Sequence, residues 1–229
     1  TVPSVLTATI GTTTNVSCNG GSNGATSVSA TGGTTPYSYQ WTNGSTSSSL
    51  SGLAAGTYTV TITDASGCTN STTATVTQPT ALSASASAGS ISCFGGSTTV
   101  TVSGSGGTTP YAGTGSFTRT AGNYSFTITD ANGCTASAAV SITEPTVLSA
   151  SATVSNAILC NGGSGFVAVS ATGGTTPYTG TGTFTRSAGS YTFTVTDANG
   201  CSSTANITVT QPSALTVSMG GSNPTTVGG

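Results

Sequence analysis

Apolar residues alternate one for one with threonine or serine along most of this chain. Three stretches show it most plainly: Tyr58-Thr-Val-Thr-Ile-Thr63, Tyr124-Ser-Phe-Thr-Ile-Thr129 and Tyr191-Thr-Phe-Thr-Val-Thr196. A period of two puts Tyr191, Phe193 and Val195 on one face and the hydroxyls on the other, which predicts half-buried strands. Each stretch runs into Asp-Ala-x-Gly-Cys and then a second alternating run, such as Ala205–Thr210. Asp can cap its own backbone and Gly accepts positive φ, so the pair predicts a β-hairpin closed by a type I turn with a glycine bulge. Asp64, Asp130 and Asp197 are the expected turn caps. Further strands are predicted at Ala25–Thr31, Thr98–Ser103 and Phe166–Thr172, with another after each proline seam described below. Apolar residues nowhere recur at helical spacing over three turns, and no apolar run approaches the ~20 residues that span a bilayer.

The alternation is organised into repeats. Gly-Gly-Thr-Thr-Pro-Tyr occurs at Gly32–Tyr37, Gly106–Tyr111 and Gly173–Tyr178. A seam of Pro, Ser/Thr, Ala/Val and Leu occurs at Pro3–Leu6, Pro79–Leu82, Pro145–Leu148 and Pro212–Leu215. These marks divide the chain into modules at 1–78, 79–144 and 145–211, with 212–229 as the opening strand of a further module or an assembly strand. Each module is expected to be a small antiparallel sandwich of six or seven strands. Each carries two cysteines, so the simplest pairing closes within the module: Cys18–Cys68, Cys93–Cys134 and Cys160–Cys201. Such a staple is worth roughly 4 kcal/mol on the chain-entropy model, comparable to the whole stability of so small a core.

Composition narrows the function. Only 3% of residues are charged, the net charge is −2, and there is no His. Phosphate-binding faces are therefore lacking, and nucleic acid is not an expected partner. General acid–base catalysis wants a His or converging carboxylates, whereas the acids here stand one per module in a turn. Calcium wants six to eight oxygens with several carboxylates, and zinc wants close Cys pairs or His partners. No enzyme activity, metal or cofactor is expected. Six cysteines in so polar a chain point to an oxidising compartment. Arg119 and Arg186 are expected to lie over Phe117 and Phe184. The threonine faces reflect strand propensity and not an ice-binding plane, which would need flat ranks that twisted sheets do not present.

Cys160-Asn-Gly-Gly-Ser164, Gly-Gly-Thr-Thr-Pro-Tyr, Ala-Gly-x-Tyr, Thr-Asp-Ala-Asn-Gly-Cys and a closing Gln/Glu-Pro, in that order, resemble the SprB repeat. The resemblance implies tandem Ig-like β-sandwich modules in stalks of Bacteroidetes surface adhesins. It also implies export by type IX secretion and a role in adhesion or gliding motility. The Cys18…Trp41…Cys68 order of module 1 is similar to Ig domains in which a Trp packs on the disulfide. Modules 2 and 3 are eight residues shorter between the Thr-Pro and the second cysteine, and lack the Trp. A shortened middle hairpin is expected there.

The whole is therefore expected to be all-β and elongated, a non-enzymatic stalk or filament segment at the bacterial cell surface. Its expected partners are neighbouring repeats or other copies of the chain, without direct membrane insertion. A glycan-binding module is the alternative; exposed aromatics beside polar groups would favour it, and buried ones the stalk. The start at Thr1 reads as that of a fragment. Leu215, Val217 and Met219 form a candidate assembly strand, expected to dock on another module's sheet.

Overall fold

A computed structural model describes residues 4–218, 220 and 221; Pro3 and Met219 lie outside the described residues. The described chain is all β, with sixteen strands. The first six are β1 (Thr7–Thr14), β2 (Gly24–Thr31), β3 (Ser38–Trp41), β4 (Ser49–Leu53), β5 (Gly56–Thr63) and β6 (Thr69–Val76). They form two three-stranded sheets, ordered β1-β2-β4 and β3-β5-β6. The predicted hairpin is β5–β6, paired without a break from Gly56↔Val76 to Thr63↔Thr69. Asp64 carbonyl accepts from Gly67 N (3.0 Å), Asp64 N donates to Cys68 carbonyl (2.9 Å), and Gly67 has φ +83°. That is the geometry of a type I turn with a glycine bulge.

Inward residues of the two sheets meet in one core of Leu6, Val16, Val28, Trp41, Leu50, Leu53, Val60, Ile62 and Val76. The sheets also touch where β1 runs beside β6. Asn70 Nδ2 donates to Leu6 O (2.8 Å) at one end, and Val16 N donates to Thr77 O (2.9 Å) at the other. The starts of β1 and β6 thus lie together, and so do their finishes. Trp41 is buried among aliphatics with its indole N–H on Ser47 O (2.7 Å), and no cysteine belongs to this core. The expected packing of Trp41 on a Cys18–Cys68 bond is therefore corrected: Cys68 is exposed and unpaired.

The second and third repeats use fewer strands. The second has β7 (Ser83–Ala88), β8 (Thr98–Ser105), β9 (Gly115–Arg119), β10 (Gly122–Thr129) and β11 (Thr135–Ile142). The third has β12 (Ser149–Asn156), β13 (Gly165–Thr172), β14 (Gly182–Arg186), β15 (Gly189–Thr196) and β16 (Ser202–Val209). Each pairs as a three-stranded and a two-stranded sheet, β7-β8-β9 with β10-β11 and β12-β13-β14 with β15-β16. The counterpart of β3 has shrunk to a single bridge, Ala112↔Thr129 and Thr179↔Thr196. Five strands replace the six or seven expected, because the eight missing residues remove that strand's length. In the third repeat the core is Ile158, Val167, Val169, Phe193, Val195 and Val209.

Contacts gather the chain into two compact units whose limits differ from the repeat seams. One contains residues 4–89 with Thr99–Ser141, and the other Ser90–Thr98 with residues 142–221. The segment Ser90–Thr98 leaves the first unit because its cysteine is bonded into the second. Residues 211–218 carry no strand, and Leu215 and Val217 are 93% and 82% exposed.

Ile62 is fully buried, so Ile62→Ala should lower unfolding free energy by about 2–5 kcal/mol. Val217→Ala should change it by less than about 0.5 kcal/mol. Denaturant melts of the two variants check the contrast, and equal effects would contradict the core assignment.

Candidate functional site: the cysteine junctions between repeats

The site begins with a buried carboxylate. Asp64, Asp130 and Asp197 are each 5–6% exposed and have no cationic partner among the described residues. Asp64 Oδ2 accepts from Thr34 N (2.9 Å), and Oδ1 accepts from Ser66 N (2.9 Å) and Cys68 N (2.8 Å). Asp130 takes Thr108, Asn132 and Cys134 amides, and Asp197 takes Thr175, Asn199 and Cys201 amides, all at 2.9 Å. One carboxylate thus fixes the hairpin turn, the Gly-Gly-Thr-Thr-Pro-Tyr loop and the backbone of the second cysteine. The second glycine of that loop has a reason of its own. Gly33 sits at φ +62°, and a Cβ there would lie 2.6 Å from Asp64 Oδ2. The loop's Tyr closes it, with Tyr37 Oη donating to Gly32 O at 2.6 Å.

These amides hold the carboxyls below the ordinary carboxylate range. For Asp64 the Thr34 amide is the largest influence; burial opposes it, and the Cys68, Ser66 and Gly67 amides add to it. For Asp130 and Asp197 burial is the largest single influence and pushes upward. Four amides outweigh it: Thr108, Cys134, Asn132 and Gly133 for Asp130, and Thr175, Cys201, Asn199 and Gly200 for Asp197.

The second cysteine set by this carboxylate is joined to the repeat before it. The disulfides are Cys18–Cys134 and Cys93–Cys201, each with Cα atoms 5.7 Å apart, and Cys68 and Cys160 are free. The expected closures Cys18–Cys68, Cys93–Cys134 and Cys160–Cys201 are all corrected by this stagger. The reason is plain in the first repeat. Cys68 directly precedes β6, whereas the Cys18 loop lies against the residues that follow β6. Gly20 N donates to Gln78 Oε1 (2.7 Å), and Asn19 Nδ2 donates to Pro79 O (3.0 Å). An eight-residue strand at ~3.3 Å per residue separates the two cysteines by roughly 25 Å. A disulfide tolerates Cα atoms no more than about 7 Å apart. The partner within reach is the next repeat's second cysteine, because the seam starts that repeat beside the loop.

Each formed junction carries the same polar clamp. Asn132 Nδ2 donates to Ser17 O and Asn199 Nδ2 to Ser92 O, both at 3.0 Å. Gly95 N in the second junction donates to Glu144 Oε2 (2.6 Å), as Gly20 does to Gln78. In the third repeat the loop is already folded: Gly162 N donates to Gln211 Oε1 (2.8 Å) and Asn161 Nδ2 to Pro212 O (3.0 Å), with Cys160 exposed and unpaired. Sequence reading did not single out these Asn and Gln/Glu roles, although Asp-Ala-Asn-Gly-Cys, Cys-Asn-Gly-Gly and Gln/Glu-Pro were its available signal.

The arginines cover aromatics with their guanidinium heads. Arg119 Cζ stands 5.6 Å from the ring centroids of Phe117, Tyr124 and Phe126. Arg186 Cζ stands 5.3–5.4 Å from Phe184, Tyr191 and Phe193. Tyr58, Tyr124 and Tyr191 are half-buried, and their hydroxyls donate to Ala54, Thr120 and Ser187 carbonyls. Among the described residues no three His, Cys, Asp or Glu gather as a metal site, and no helix is long and apolar enough to cross a membrane.

The strand order and buried inward faces define an Ig-like all-β protein of disulfide-linked repeats. The SprB repeat model matches at residues 10–46, within the first repeat. No curated protein matches the chain. Among solved structures, the N-terminal eight Ig domains of Down Syndrome Cell Adhesion Molecule are 14% identical, with a TM-score of 0.32 over 85% of this chain and 34% of that one. The chain thus spans about a third of that structure's length. The four N-terminal Ig domains of a Dscam1 isoform are 11% identical, with a TM-score of 0.25 over 87% and 72%. The Bacteroides ovatus mixed-linkage glucan utilization locus protein SGBP-B, solved with a mixed-linkage heptasaccharide, is 13% identical, with a TM-score of 0.21 over 90% and 70%.

Lowered carboxyl pKa values set the pH response. The unfolded chain binds protons near the ordinary value of about 3.9, and the folded chain only at lower pH. The Asp contribution is complete above about pH 4 and is lost as pH falls through the folded values. Denaturation midpoints should be level from pH 5 to 8 and fall below about 4. Asp130→Asn should flatten the fall; an acid-indifferent midpoint in the parent would contradict the carboxylate's role.

Proposed function

We propose that this chain is a non-enzymatic structural segment of a bacterial surface adhesin, a stalk in which successive repeats are locked together by disulfides. The staggered pairing carries this reading. Because Cys93 lies between Cys18 and Cys134 in sequence, and Cys134 between Cys93 and Cys201, the two covalent loops overlap. Tension between the chain ends then passes through the sulfur bridges, and the segments between Cys18 and Cys93 and between Cys134 and Cys201 lie off the loaded path. A surface nearly free of charge leaves repeat contacts insensitive to salt. The SprB-repeat match and the disulfides support an extracellular, surface location, and the family's association with gliding motility and type IX secretion makes these the proposed setting.

A glycan-binding role has less support. The clustered aromatics are buried or partly buried, Arg119 and Arg186 cover the phenylalanine faces, and the tyrosine hydroxyls are engaged within the fold. Few ring faces remain for a sugar to stack upon.

Pulling single molecules from both ends tests the stalk reading. Without reductant, only residues 1–18, 93–134 and 201–229 can be drawn out, a limit of about 300 Å at ~3.5 Å per residue. With reductant the limit should rise to about 800 Å. A full-length extension without reductant would remove the load-bearing argument, and firm retention on a glycan array would favour the lectin reading.

A further inference from the structure

We infer that Cys68 and Cys160 are the two halves of the same junction, each awaiting an adjoining repeat. The groove beside Cys68 is the seat of a preceding repeat's Cys-x-Gly-Gly loop. The Cys160 loop is the piece that enters the corresponding groove of a following repeat. The inference rests on the tandem-repeat reading above.

Cys68 is placed as its bonded counterparts are. Its amide lies on Asp64 Oδ1 at 2.8 Å, against 2.9 Å for Cys134 on Asp130 and Cys201 on Asp197. Beside it runs a groove of about 360 Å³ lined by Val5, Leu6, Thr34, Asp64, Cys68 and Asn70. The matching places in the later repeats hold a cysteine loop. Cys18 and Asn19 sit with Ala81, Leu82 and Cys134, and Cys93 and Phe94 sit with Val147, Leu148 and Cys201.

Cys160 is placed as its counterparts are too. Its loop makes the Gly163 N to Cys160 O bond at 3.0 Å, as Gly21 does to Cys18 and Gly96 to Cys93. It holds the Gln211-Pro212 seam as the Cys18 loop holds Gln78-Pro79. The apolar surface agrees: Val5 at the empty groove is 84% exposed, and Leu159 next to Cys160 is 83% exposed. Val147, the counterpart of Val5 in an occupied junction, is 58% exposed. The occupant is thus another repeat of this kind joined through a Pro seam, and not an unrelated protein, because seam and loop are held together before the bond forms.

The bond needs an oxidant, and a small-molecule disulfide suffices. Two protein thiols and one oxidised glutathione give one protein disulfide and two glutathione thiols. One S–S bond breaks, one forms, and the two protons pass to the departing thiols.

The test is a head-to-tail fusion in which Gln211 of one copy is followed directly by Pro3 of a second, refolded with glutathione. Cys160 of the first copy should pair with Cys68 of the second. Two free thiols should then remain per fusion, against two in each unfused chain and four if no junction forms. Non-reducing peptide mapping should recover the Cys160–Cys68 peptide, and Cys160→Ser in the first copy should abolish it. Four thiols with Cys18–Cys134 and Cys93–Cys201 intact would overturn this inference alone. Loss of those two pairs as well would overturn the staggered-repeat reading itself. A Cys160–Cys68 bond formed only between separate fusions would overturn the assignment to an adjoining repeat.

Discussion

A buried carboxylate held by backbone amides governs how each repeat is built. An ionised Asp at 5–6% exposure is tolerable only where hydrogen bonds replace its hydration, and three backbone amides aim at each of these. Meeting that demand sets the hairpin turn, forces Gly33 and its equivalents to lack a side chain, and anchors the second cysteine. In a chain with 3% charged residues, one carboxylate per repeat performs the positioning that larger proteins spread over many polar groups. The covalent geometry between repeats depends on it, since each second cysteine leaves the hairpin in the direction the carboxylate fixes.

The disulfides extend this local order along the chain. Closing loops of 116 and 108 residues restricts the unfolded chain by about 5 kcal/mol each when taken singly, slightly more than loops closed within a repeat would. The larger difference is topological. Staples inside repeats would leave each small core independent and every seam open to extension. Staples from each repeat to the next make the opening of one core contingent on its neighbour's. Cores of six to nine buried side chains are marginal by themselves. Linking them is an effective use of few cysteines.

Much of this was legible in the sequence, since strict alternation reports a pleated sheet with one buried face. The hairpins and their turns follow from residues quoted in order, and where a shortened middle hairpin was expected in the later repeats the counterpart of β3 is a single bridge. The cysteine pairing did not follow, and the reason lies in periodicity. In a repeated sequence, pairing within a repeat and pairing to the next one have equal regularity, so spacing alone cannot separate them. The deciding fact is that β1 and β6 start together, as the Asn70–Leu6 bond shows. The first cysteine follows β1 and the second precedes β6, so the two stand a strand's length apart. The Trp41 comparison with Ig domains pointed the other way, because it took a cysteine pair to lie in the core.

The two forms of repeat show one packing problem solved twice. In the first, β3 supplies Trp41, which fills the core and satisfies its indole on Ser47 O. In the later repeats the Trp and the eight residues are gone, and paired rings are found instead, with Phe184 and Phe193 centroids 5.1 Å apart and tilted by 36°. Phe184 and Tyr191, only partly covered, would leave an apolar surface open to water beside the buried Phe193. Arg186 closes it, its guanidinium lying over the rings while Nη1 donates to Thr185 O at 2.9 Å. Arg119 does the same over Phe117 and Phe126. The only two cations among the side chains therefore act as lids on aromatic clusters, although a nearly uncharged chain has no evident need of them for solubility alone. The shorter repeat exchanges a strand for a lid and leaves the carboxylate and the loop it holds unchanged.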